Sequence, residues 1–322
     1  MAQPHDDRAP FDDLHELIRG VPEADAAMRD AVRERLEAFP GPQPAMGAIG
    51  ERLEWLAGWQ RKAQPSVARP LVAVFAGTHD AAGGGVVKVA QERVVGLTQG
   101  AAPVRGIAAE MGAAFKVYEF GLEMPAADMR EGPSLSERDT AAAFAFGMEV
   151  VAEGADIIAL GSIGAGSVAA AAAIARALYG GTVEYWAQVA GEVGKARVAT
   201  VLRATEANGS ALGDPLDILA AYGGRDLAGF AGAMVAARYQ AIPVVLGGFV
   251  TCAAAAVLHA VDPRATEHCM AGEATAEFAQ GGLLDRLGLE PLHSFGIGPG
   301  DGTGAALALN TLRAACAGFA TL

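Results

Sequence analysis

PLVAVFAGTH, from Pro70 to His79, is the stretch that decides how the chain folds. From Pro70 to Ala76 it is apolar without a break, and Gly77 ends the run. A strand with one wet face alternates apolar and polar residues, whereas an unbroken apolar run suits a strand buried on both faces of a parallel sheet. AFKVYEFG from Ala114, ADIIALGS from Ala155 and IPVVLGGF from Ile242 repeat the form. Helical segments separate them, among them ERDTAAAFAFGMEVVAEG, SVAAAAAIARALYGG and RDLAGFAGAMVAARYQA. Strands alternating with helices predict an α/β fold, with a doubly wound, mostly parallel sheet covered on both faces through right-handed crossovers.

Upstream of Pro70 the pattern is helical only. Met28, Val32 and Leu36 recur at four-residue steps, and after the turn FPGPQPAMG a second face carries Ile49, Leu53 and Leu56. These helices precede any strand signal, so residues 1–64 are expected to form a smaller helical cap domain. Residues 65–322 then form a Rossmann-like nucleotide-binding domain, with the C-terminal helix a candidate to pack against the cap.

Composition narrows the function. The 322 residues are 52% hydrophobic but only 6% aromatic, which favours closely packed helices and tight turns around one large core. A formal net charge of −13 without a long basic run argues against nucleic acid, which needs a cationic surface. A small molecule is the expected partner. Cys252, Cys269 and Cys316 are odd in number and fit no metal spacing, so they read as reduced, mostly buried thiols of a cytosolic protein. His259, His268 and His293 are scattered, and no metal is expected. The start, MAQPHDDRAPFDDL, lacks the order of a signal peptide, and the apolar stretch from Val168 to Tyr179 is broken by Arg176 and too short to span a bilayer. The expected location is cytoplasmic, without a membrane partner.

In open parallel sheets ligands bind beyond the carboxyl ends of the strands. That singles out Thr78-His79-Asp80, the turn Ser162 to Ser167, Gly247-Gly248, and the late segment GIGPGDGTGAALAL. In GSIGAGS (Gly161 to Ser167), glycines let successive N–H groups approach a ligand, and the following helix start favours an anion such as phosphate. The same turn also serves close packing without any ligand. In GPGDGTGAA, Asp301 stands before a helix, where a carboxylate could take a proton from a bound heterocycle or simply cap the helix. His79 and Asp80 are adjacent, which does not make a triad, and either a loop hydrogen bond or a functional role fits. There is no Walker loop, no dinucleotide fingerprint after the first strand and no nucleophile elbow, so no ATP, NAD or other cofactor is expected.

The motifs resemble one family along nearly the whole chain. PLVAVFAGTH, EGPSLSERD, AFGMEVVAEGADIIALG, DPLDILAAYGGRDLAGFAGAMVAAR, IPVVLGGFVTCAAAAVLHA, LLDRLGLEPL and GDGTGAALAL follow its order and spacing. The chain is similar to the nicotinate-nucleotide–dimethylbenzimidazole phosphoribosyltransferases of cobalamin lower-ligand synthesis. That resemblance implies a homodimer that moves phosphoribose from nicotinate mononucleotide to 5,6-dimethylbenzimidazole, with inversion, giving α-ribazole phosphate. It puts Asp301 in the place of the general base, a glutamate in the family's GEGTGA. It makes Thr78, His79, Ser162, Gly164, Gly166, Ser167, Arg197, Glu277, Gly302 and Thr303 the candidates for substrate binding.

The departures gather at the same edge. The family's GEMGIGNTT is GSIGAGSVA, so Ser162 replaces a glutamate and Ser167-Val168 an Asn-Thr pair. Thr78-His79-Asp80 stands for D/N-H-G, and Gly247 for the aspartate of DGF. TAEFAQ keeps Glu277 but puts Gln280 at a histidine, Gly298 stands at an arginine, and Arg197 sits at a lysine. Three readings follow: the family reaction, a catalytically impaired paralogue that binds a nucleotide, base or partner subunit, or the same fold acting on another heterocycle.

Overall fold

The computed structural model describes residues 9–187, 189–209, 213–298 and 300–322. Five strands, β1 (Pro70–Ala76), β2 (Ala114–Glu119), β3 (Ile157–Ser162), β4 (Val244–Leu246) and β5 (Cys269–Ala271), form one sheet in the order β2-β1-β3-β4-β5. All pairings are parallel. Helices α1 (Pro10–Arg19), α2 (Ala26–Glu37) and α3 (Ala48–Gln60) precede the sheet, and α4 (Val86–Gln99) with α5 (Pro103–Glu110) joins β1 to β2. Next, α6 (Glu137–Met148) leads to β3. Then α7 (Ser167–Tyr179), α8 (Val183–Ala187), α9 (Glu192–Asn208), α10 (Pro215–Tyr222) and α11 (Arg225–Tyr239) lead to β4. Last come α12 (Phe249–Val261), α13 (Ala279–Leu287) and α14 (Thr303–Phe319).

The unbroken apolar runs have the expected cause. Along β1, Leu71, Ala73 and Phe75 enter one core with Ile158, Leu160 and Leu246, while Val72 and Val74 enter the other with Ile157, Ala159 and Val245. Side chains alternate between faces, so a strand covered on both sides must be apolar throughout. β2 departs from that expectation. It is the edge strand, and Lys116 and Glu119 lie exposed because only β1 pairs with it. β5, three residues long, carries too little pattern to have been read from sequence.

The helices before the sheet divide between its faces. Phe11, Leu14 and Ile18 of α1 join the core of Phe75 and Phe230, whereas Val32 and Leu36 of α2, and Leu53 and Leu56 of α3, join the core of Val72 and Val74. The C-terminal helix α14 packs against α3 and α5 in that second core. No helix among the described residues is long and apolar enough to cross a membrane. All three cysteines are free and buried, and burial pushes the Cys252 thiol up to about 12.

Helices α6 and α11 cross with no room for side chains at the contact. A methyl on Gly232 would overlap the carbonyl of Phe144, and one on Gly147 the carbonyl of Gly229. Helix propensity favours alanine over glycine by about 1 kcal/mol, but overpacking against backbone costs about 1–3 kcal/mol and sometimes more. The overlap is with rigid main chain, so it dominates. Gly232→Ala is therefore expected to lower the urea midpoint, and a rise would mean the helices can separate freely.

Candidate functional site at the carboxyl edge of the sheet

The strand order creates a switch point. From β1 the chain runs to β2 on one side and from β3 to β4 on the other, and where the loops leaving two neighbouring strands part in this way a crevice is expected beyond their carboxyl ends. Open parallel sheets bind ligands in such crevices. The two loops stay paired as they leave the sheet. Ile163 donates its N–H to the Phe75 carbonyl, Ala165 to Gly77, and His79 to Ala165. Gly166, at φ +99°, caps α7 in a left-handed conformation that glycine adopts without steric cost.

The late glycine turn folds back onto this one. Ser162 donates its N–H to the Gly300 carbonyl at 2.9 Å, and a methyl on Gly161 would stand 2.6 Å from the carbonyl of Asp301. Gly302, at φ +98°, caps α14. The starts of α7 and α14 therefore open on one edge, and each offers amides that lack intrahelical partners. Pro299, within the late turn, lies outside the described residues.

Asp301 is half-buried there. Its Oδ1 accepts the Thr303 N–H at 3.0 Å, and its Oδ2 makes no hydrogen bond among the described residues. One carboxylate oxygen anchors the group to the first amide of α14; the other is free to take a proton. Of the two roles weighed for Asp301 from sequence, the N-cap position belongs to Gly302, and Asp301 stands one residue before it.

The candidates after β1 and at the start of α7 are drawn together, but inward. Ser167 Oγ donates to Asp226 Oδ2 at 2.5 Å, and His79 Nε2 lies 3.1 Å from Asp226 Oδ1 and 3.4 Å from Ser167 Oγ. All three side chains are buried. Thr78 is buried too, its hydroxyl donating to the Leu122 carbonyl. At this end of the crevice the side chains brace the turns, and the turns present backbone.

Burial alone would raise the Asp226 carboxyl. The charge of His79 and hydrogen bonds from His79, Ser167 and the Leu227 N–H outweigh it, and the carboxyl is held below its usual range. The sequence reading missed Asp226; its only local signal is an acid in the first turn of α11. It also missed Arg93 on α4, whose guanidinium donates to the Gly164 carbonyl at 2.7 Å and the Ile163 carbonyl at 3.3 Å. An exposed cation thus steadies the backbone of the anion-binding candidate.

Arg197 and Glu277, far apart in sequence, form an ion pair at 2.8 Å with side chains only 13% and 9% exposed. The pair links α9 to the segment before α13. No hydrogen bond among the described residues ties it to the network of His79, Ser167 and Asp226. Gln280, at the place of the family's histidine, is buried and donates to the Glu273 carbonyl. Among the described residues no cluster of three or more His, Cys, Asp or Glu could hold a metal ion.

Residues 21–322 match a family model described as phosphoribosyltransferase. The chain is 42% identical over 314 residues to a nicotinate-nucleotide–dimethylbenzimidazole phosphoribosyltransferase of Brucella melitensis, covering 95% of this chain and 93% of that one. It is 42% identical over 319 residues to the protein of the same name in Methylocella silvestris, covering 97% and 94%. A crystal structure of the Thermus thermophilus protein of that name is similar at a TM-score of 0.82 and 29% identity, over 92% of this chain and 96% of that chain.

Proposed function

The chain belongs to the phosphoribosyltransferase family of these nicotinate-nucleotide–dimethylbenzimidazole enzymes, and from that premise we propose that it transfers phosphoribose from nicotinate mononucleotide to 5,6-dimethylbenzimidazole. The observation that carries the reading is Asp301, with one oxygen anchored and the other free where two glycine turns meet.

The chemistry follows from that placement. The benzimidazole presents its N–H to Asp301 Oδ2, and the carboxylate takes the proton as the other ring nitrogen attacks the ribose anomeric carbon. The bond from that carbon to the nicotinate nitrogen breaks, its electron pair leaves with neutral-ring nicotinate, and the configuration inverts. The products are α-ribazole phosphate, nicotinate and the proton on Asp301. The phosphate is held by amides at Gly164, Gly166 and Ser167 and at Gly302, where helix starts supply partial positive charge, while the Thr303 N–H stays with Asp301. Such local donors matter here, because a net charge of −13 gives no long-range attraction for an anion. Ser162, Arg197 and Glu277 are the polar side chains proposed to meet substrate, while Thr78 and His79 hold the β1 loop in place.

The protein acts as a cytoplasmic homodimer, with 65–322 as the nucleotide-binding unit and the helices of 1–64 packed on the two faces of its sheet, for α-ribazole phosphate formation in cobalamin synthesis. Light scattering behind size exclusion tests the dimer. For the reaction, purified protein is incubated with nicotinate mononucleotide and dimethylbenzimidazole, and products are separated by chromatography. Equal amounts of nicotinate and α-ribazole phosphate are expected. Nucleotide binding with no product at any enzyme concentration would end this reading and leave a binding protein.

A further inference from the structure

Glu273 is a fully buried carboxylate that the proposed chemistry does not use. It lies just past β5, where the segment at 292–293 runs alongside. Leu292 donates its N–H to the Ala271 carbonyl at 2.9 Å, His293 to Gly272 at 3.1 Å, and Ala274 to His293 at 2.8 Å. The main-chain pairing stops there, and a side chain continues it. Glu273 Oε1 accepts the N–H of Phe295 at 3.1 Å and of Ile297 at 2.8 Å. Gly296, between them, stands at φ +67°, so the chain turns here and both amides converge on the one oxygen, as in the anion-binding concavities of such turns.

The far end of this segment is held separately. Gly300 receives the Ser162 N–H on its carbonyl and lies so close to β4 that a methyl on it would stand 2.8 Å from the Gly247 carbonyl. The described residues on either side of Pro299 are thus held separately, His293 to Gly298 as a strap beyond β5 and Gly300 at the carboxyl ends of β4 and β3. Asp301 is the next residue.

Beyond these two amides the Glu273 side chain makes no hydrogen bond among the described residues. Its Oε2 is buried and unpartnered among the described residues, and it faces the first turn of α14, where a methyl on Gly304 would stand 3.0 Å from it. The helix start tolerates the negative charge, yet a sealed carboxylate oxygen without a donor carries a desolvation cost. An apolar side chain would avoid that cost but could not hold two amides. We propose that Glu273 is a positioning residue for Asp301, fixing through the strap the place from which the carboxylate reaches its substrate. This rests on the reading of Asp301 as the base.

The test compares Glu273→Ala, Glu273→Gln and Glu273→Asp with the unmodified protein, in steady-state kinetics and in amide hydrogen exchange. In Glu273→Ala, exchange in the 293–300 segment is expected to quicken. Turnover should fall roughly tenfold to a hundredfold, the scale set by misplacing a catalytic group by about an ångström. KM should change little, since the loss falls on the reacting geometry. Glu273→Gln keeps an acceptor oxygen at full reach and should restore slow exchange and most of kcat, which a general packing defect would not allow. Parent-like exchange in Glu273→Ala, or faster exchange with parent-like kcat, overturns the proposal. Should the alanine variant not fold, Glu273→Asp withdraws the oxygen by one methylene and must show the same loss of kcat; parent-like kcat there overturns it as well. An unmodified protein that makes no product refutes the functional reading instead, and the exchange comparison still decides whether Glu273 holds the strap.

Discussion

Asp301→Asn is expected to lower turnover by about 10²–10⁴-fold, the contribution typical of a positioned general base, while leaving thermal stability close to that of the unmodified protein. The two expectations come from the two oxygens. Asparagine keeps an acceptor for the Thr303 N–H. It cannot take a proton from the benzimidazole. Asp301→Ala removes both functions, so it should show the same kinetic loss plus about 0.5–1.5 kcal/mol of stability from the missing hydrogen bond. The pair of variants separates the anchoring role from the chemical one. Asp301→Glu supplies the longer acid that the family motif carries, and turnover within about a hundredfold of the parent is expected, the range that a one-ångström displacement commands. Product formation unchanged in Asp301→Asn would remove Asp301 from the chemistry and leave it only as a partner of the Thr303 N–H.

What the sequence made legible follows from how far each residue must reach for its partners. β1 and β3 announce themselves because both their faces are buried, so each run of residues carries the whole signal. β2 was overread, since an edge strand spends alternate residues on water, and β5 was missed because three residues cannot establish a period. The turns at Gly166 and Gly302 were legible because their left-handed backbone demands glycine next to a helix start. Which side chains face the crevice was not legible. Ser167 lies within the glycine turn that reads as an anion site, yet its hydroxyl points to Asp226, a partner brought up by another helix. Glu273 escaped for the same reason: its partners are backbone amides of Phe295 and Ile297, which leave no mark on local composition. Glycine turns are a property of the chain near them, whereas buried polar contacts belong to the assembled fold.

Asp226→Ala should be the most damaging substitution for stability, costing about 3–5 kcal/mol, the range for breaking a buried charged pair by removing one member. Against a total stability of about 5–15 kcal/mol for a typical domain, that is a large share. The carboxylate is fully buried, takes the Ser167 hydroxyl on one oxygen and faces His79 with the other, so alanine strands two buried polar groups at once. Asp226→Asn retains the volume and one acceptor and should lose less. Acid provides a second readout. The Asp226 carboxyl is lowered in the folded protein, so its stabilisation is complete above the unfolded pKa and is lost as pH falls through the folded one. With an ordinary aspartate near 3.9, the loss is expected below about pH 4. Urea midpoints measured at neutral pH and down through that window should fall for the unmodified protein and fall less steeply for Asp226→Asn. A neutral-pH midpoint for Asp226→Ala equal to the parent's would contradict the argument. Activity should drop along with stability, because the same carboxylate packs against both of the paired loops. A methyl on Gly77 would lie 2.5 Å from its Cγ, and one on Gly164 would lie 2.6 Å from its Oδ2. Neither turn has room for a side chain there, so the two hydrogen-bonded loops pack directly on one buried carboxylate, which helps to hold the direction of their amides.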